Sequence, residues 1–112
     1  MKLRLEDNTL RLRLSTEEVA DFHRTGHLET IVPLGLAVAE RLVYALQRDA
    51  ADTGPGSAPS VSYAAGRVVV RLPAAVADAW IGSAEVSLRG TMAVADNQVV
   101  HILVEKDLGC KH

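Results

Sequence analysis

Thr-Leu-Arg-Leu-Arg-Leu-Ser-Thr-Glu-Glu-Val-Ala-Asp-Phe-His-Arg-Thr-Gly-His-Leu-Glu, residues 9–29, is the stretch whose reading decides the fold. Leu10, Leu12 and Leu14 alternate with Arg11 and Arg13, the period of a strand with leucines on one face and arginines on the other. The pattern changes at Ser15. Ser15 with Glu18 three residues later forms a capping box, and Leu14 and Val19 stand at the two positions of a hydrophobic staple. Glu17 and Glu18 suit the positive end of the helix dipole. Val19 and Phe22 share the inward face, and Gly26 is placed to end the helix in the left-handed conformation. The stretch is therefore expected to be strand, capped helix, strand.

Upstream, Leu3 and Leu5 alternate with Lys2, Arg4 and Glu6. Asp7-Asn8 suits a two-residue hairpin turn that would set Leu5 against Leu10 and Leu3 against Leu12. Downstream, a strand is expected from His27 to Val32, then a break at Pro33 and Gly35. Residues 37–49 fit a helix through Ala39, Leu42, Val43 and Leu46, and equally a strand through Leu42, Tyr44 and Leu46. Residues 50–58, rich in Gly, Pro and Ser, read as a linker. Then come strands at Val61–Tyr63 and Val68–Leu72 around a turn at Ala65-Gly66. A helix follows, with Pro73 at N1 and Val76 and Trp80 inward. Val86 and Leu88 begin a strand, Gly90 to Asn97 is a connection, and Val99–Glu105 is a strand apolar enough to be central.

A repeat runs through both halves. Leu3 and Leu5 match Val61 and Tyr63, and Leu10, Leu12, Arg13 and Leu14 match Val68, Val70, Arg71 and Leu72. Val19-Ala20-Asp21 returns as Val76-Ala77-Asp78, Leu28 matches Val86, and the run from Glu40 aligns with that from Asn97. By subtraction of these positions the offset stays at 57 or 58. The β-branched run at 99–105 then favours strand for its partner from Glu40 to Arg48. The chain is expected to be one α+β domain over residues 1–112, with halves 1–49 and 59–107. Each half would be a ββαββ unit with one short helix, and the whole a mostly antiparallel curved sheet or open barrel. The wide barrel of the triphosphate tunnel enzymes is similar in architecture. Their N-terminal run of alternating glutamates is replaced here by Lys2-Leu3-Arg4-Leu5-Glu6.

Leu10-Arg11-Leu12-Arg13-Leu14 and Ile102-Leu103-Val104-Glu105-Lys106-Asp107, with Cys110 following, resemble a family of short uncharacterised bacterial proteins. Members carry a phenylalanine where this chain has Leu108. The resemblance implies no activity, cofactor or catalytic residue.

The net charge of −2 supplies no overall attraction to nucleic acid. No apolar run approaches the roughly 20 residues that span a bilayer. One cysteine, Cys110, excludes an internal disulfide, and cytoplasm is the expected compartment. Cys110 and His112 could give two metal ligands, short of the usual four for zinc, and Gly26 separates His23 from His27. No Gly-x-Ser-x-Gly elbow is present, and Gly54-Pro55-Gly56 lacks the Lys-Ser/Thr of a phosphate loop. Catalytic residues, metal ligands and cofactors are therefore assigned to none of these positions. Glu105-Lys106-Asp107 reads as a solvated strand end and Trp80 as core.

Two functional readings follow. One is a non-enzymatic binding or assembly module, including a homodimer through an exposed sheet edge or face. The other is a binding protein or small enzyme for an anionic metabolite. Its site would be Lys2, Arg4, Arg11 and Arg13, joined by Arg71, which stands in the second half where Arg13 stands in the first. A concave face would favour the second reading; the alternative is a plain solvated face.

Overall fold

A computed structural model describes residues 1–50 and 58–107. In chain order the elements are β1 (Lys2–Glu6), β2 (Thr9–Leu14), α1 (Thr16–Thr25), β3 (His27–Pro33), β4 (Arg41–Asp49), β5 (Ser60–Ala64), β6 (Arg67–Pro73), α2 (Ala74–Ile81), β7 (Ser87–Val94) and β8 (Gln98–Lys106). The class is α+β, and the order ββαββ occurs twice. Residues 37–49, open between helix and strand, hold β4.

The local reasons are those of the opening stretch. Ser15 caps α1: its side chain accepts from the Glu18 amide, and the Glu18 carboxylate accepts from the Ser15 amide. Such a cap contributes about 1 kcal/mol. Gly26 ends the helix at φ 74°, and its amide donates to the Phe22 carbonyl. Helix α2 has no side-chain cap; Pro73 stands at its N-cap, one position before the expected N1. Packing holds it instead, through buried Ala74, Ala77 and Trp80. The Trp80 indole donates to the Val86 carbonyl at 3.2 Å.

The strands form two sheets, not one curved sheet, and they do not close into a barrel. Sheet A has the order β1-β2-β8-β7 and sheet B the order β3-β4-β6-β5. Each hairpin is antiparallel, and each sheet has a parallel pair at its centre, β2 with β8 and β4 with β6. The parallel pairs arise because each helix carries the chain from one sheet to the other. Sheet A thus combines the first hairpin of the first half with the second hairpin of the second half, and sheet B the reverse. A lone hairpin is marginal in water, so each half completes the other's sheet.

The inward faces of both sheets and the two helices enclose one core. Leu10, Leu12, Leu14, Ile102 and Val104 come from sheet A, Tyr44, Leu46, Val70 and Leu72 from sheet B, and Phe22, Ala77 and Trp80 from the helices. A fully buried Leu, Ile or Phe contributes roughly 1.5–3 kcal/mol by leaving water, so this cluster outweighs the surface ion pairs.

The pairing registers correct the repeat. Leu10 pairs with Ile102 and Val68 with Tyr44, so the last strands are related by 58 and not 57. Leu28 pairs with Leu46 and Leu88 with Val104, so Leu28 corresponds to Leu88, two residues beyond the expected Val86. A longer link between α2 and β7 takes up the two residues and keeps leucine on the core side. Residues 90–94, expected in a connection, belong to β7. Gly90 is needed there because a Cβ would come within 2.8 Å of the Pro59 ring at the start of β5. That contact is where the edges of the two sheets meet.

Candidate anion-binding face

Period two turns the arginines of β2 outward once the leucines turn inward. The two-residue turn at Asp7-Asn8 then sets the register as expected: Arg4 opposite Arg11 and Lys2 opposite Arg13. The four basic side chains lie together on the outward face of sheet A, where they line a hollow of about 190 Å³. Arg71 is not with them. It lies on the outward face of sheet B, across the core, and donates to the Ser62 hydroxyl at 2.8 Å. The five arginine and lysine residues therefore do not converge on one anion, because the helices send corresponding strands of the two halves to different sheets.

The second half completes the face. Strand β8 places His101, Leu103 and Glu105 beside Thr9, Arg11 and Arg13, and β7 places Ser87, Arg89 and Thr91 beyond them. The Glu105 side chain is only 15% exposed and sits 3.5 Å from Arg11 Nε and 3.6 Å from Arg13 Nη2. Arg11 Nε and Glu105 Oε1 are both shielded from water, yet the contact lacks hydrogen-bond alignment. Glu105 is thus a shared counter-charge inside the patch and not the solvated strand end expected. The other acid of the face, Glu6, reaches Arg4 at 3.5 Å where both are well exposed. Five basic residues, Lys2, Arg4, Arg11, Arg13 and Arg89, stand against two acidic ones. The chain as a whole carries −2, so positive charge is concentrated on this face.

A second hollow of about 480 Å³ adjoins the first. Arg11 belongs to both, and Arg89, Thr91, His101 and Leu103 line the second. These residues escaped the sequence reading because they join Arg11 only through the parallel pairing of β2 and β8. The available signal was the alternation of polar and apolar residues through β7.

The corresponding face of sheet B has a different chemistry. Ser60 and Ser62 stand where sheet A has Lys2 and Arg4, Val69 where it has Arg11, Gln47 where it has Glu105, and Ala45 where it has Leu103. Arg71 alone keeps its basic counterpart.

Among the described residues no group of three or more His, Cys, Asp and Glu side chains could hold a metal ion. Cys110 and His112 lie outside the described residues. No helix among those residues is long and apolar enough to cross a membrane. The model of a family of unknown function, DUF7009, matches residues 1–112, and the chain belongs to that family. No curated protein and no solved structure matches it.

Proposed function

We propose that the outward face of sheet A binds a small anion, the phosphate or carboxylate group of a metabolite, through Lys2, Arg4, Arg11 and Arg13. The observation that carries this reading is the contrast between the two sheets. Directly opposed like charges destabilise a hairpin by a few tenths to about 1 kcal/mol per pair. The second half builds the same hairpin with Ser60 opposite Arg71 and Ser62 opposite Val69. The fold therefore does not require the two cationic pairs, and a bound anion accounts for them. Arginine forks suit a phosphate or carboxylate. Glu105, between Arg11 and Arg13, neutralises one positive charge and holds both guanidinium groups at the hollow.

The test is thermal unfolding with phosphate or pyrophosphate at fixed ionic strength, on the parent and on an Arg11→Ala, Arg13→Ala double variant. A ligand that binds only the folded state raises the midpoint. A rise in the parent that the variant loses supports the site. No rise, or an equal rise in both, makes the face ordinary surface. Cytoplasmic residence goes with this reading, since one cysteine in 112 residues suits a reducing compartment.

A second reading, self-assembly, draws on Leu34, Leu36 and Val38 in the β3–β4 connection, which are 70, 106 and 81% exposed. A sedimentation profile that stays monomeric at high concentration and is unchanged in a Leu34→Ser, Leu36→Ser variant would exclude it.

A further inference from the structure

We infer that the ligand of this face is linear and two-headed: one anionic group held at the Lys2/Arg4/Arg11/Arg13 hollow, a second at Arg89, and an apolar middle lying over Leu103. The inference rests on the anion-binding reading and specifies its ligand. The register sets Arg4, Arg11, Leu103 and Arg89 in one row across the four strands of sheet A. Arg11 and Arg89 flank Leu103, so their strands are two inter-strand spacings apart, about 10 Å. The two adjoining hollows follow this row and share Arg11. Leu103 is the apolar residue between the two cations. A continuous polyanion would place charge there, whereas a hydrocarbon segment would bury it.

Sheet B shows what the same geometry does when it is satisfied internally. Arg67 donates to Glu29 at 3.0 Å, over the intervening strand β4. The residue of sheet A that corresponds to Glu29 is Arg89, and the one that corresponds to Arg67 is Thr9. Sheet A has therefore exchanged the acid of that internal bridge for a cation. Among the described residues the Arg89 side chain makes no hydrogen bond or ion pair. A second anionic group of the ligand stands in for the missing acid, with the Thr91 hydroxyl and His101 imidazole beside it in the same hollow.

The experiment is calorimetric titration with α,ω-alkane bisphosphonates of increasing chain length, at fixed ionic strength, on the parent, Arg89→Ala and Leu103→Ser. In the parent, affinity is expected to pass through a maximum at a chain spanning about 10 Å. The gain over the methylene member is expected to be roughly tenfold or more, as a second charge-assisted contact forms. Arg89→Ala should abolish the maximum, and Leu103→Ser should lower it. Affinity independent of length, rising steadily with it, or peaking equally in Arg89→Ala overturns the two-headed ligand while the first anion site stands. Failure of every member to bind the parent overturns both.

Discussion

Arg67 reaches Glu29 over the width of β4, Nη2 to Oε1 at 3.0 Å, and the pair spans the strand whose outward-facing Val43 and Ala45 are both buried. The Arg67 hydrogen bond, helped by His27, holds the Glu29 carboxyl below its usual value of 4.5. Asp78 behaves alike: the paired hydrogen bonds from Arg48, at 2.9 and 2.6 Å, keep it below 3.8. At Glu18 burial opposes ionisation. The Met1 ammonium and the hydrogen bonds of the capping box outweigh it, and its value is also lowered.

Each of these carboxyls binds protons more weakly when folded than when unfolded. Their stabilisation is complete above the unfolded values and is lost as pH falls through the folded ones. The melting temperature should therefore be flat near neutrality and fall below about pH 4.5. Glu29→Gln should soften that acid fall. Thermal unfolding between pH 2.5 and 7 checks this; an acid limb of the same slope in the variant would show that the Arg67 bridge contributes nothing.

The turn between β5 and β6 carries a correctable strain. Ala65 and Gly66 both have positive φ, 51° and 77°, as a two-residue turn of this hand requires. Glycine tolerates this region, while alanine pays roughly 1–2 kcal/mol there. Ala65→Asn should raise stability by about 0.5–1 kcal/mol, because Asn-Gly is the favoured pair for this turn. Denaturant midpoints measure it, and a lower midpoint would contradict the turn geometry.

Where the sheets meet, Gly90 faces Pro59. The ring cannot swing aside, so Gly90→Ala should cost about 1–3 kcal/mol through overpacking. Pro59→Ala in the same chain should recover part of the loss. Additive losses in the double variant would show that the two residues do not touch.

The opposed charges of the β1–β2 hairpin can be exchanged for the residues found in the other half. Lys2→Ser with Arg4→Ser should stabilise the ligand-free protein by up to about 1 kcal/mol per relieved pair. The small part due to the exposed Arg4–Glu6 contact is lost. The same variant should no longer respond to pyrophosphate. A stabilised variant that still binds would place the anion elsewhere.

Much of the fold lies in local pattern. Alternation determined β1 and β2, and an apolar, β-branched run determined β8; Ser15, Glu18 and Gly26 determined both ends of α1; Asp7-Asn8 determined the register that opposes Arg4 to Arg11. These depend on neighbours within a few residues, and steric and hydrogen-bonding rules act at that range. The repeat was enough to make residues 41–49 a strand. What the chain does with two such halves was decided at longer range. The helices send each second hairpin to the other sheet, because only there can it complete a four-stranded layer over the shared core. That exchange put Glu105 beside Arg11 and Arg13, set Arg89 on the far side of Leu103, and carried Arg71 to the opposite face. Residues 9–14 specify a basic strand face; which other side chains stand on it depends on pairing between residues about 90 positions apart, where many registers bury similar apolar area and only the packed core selects one.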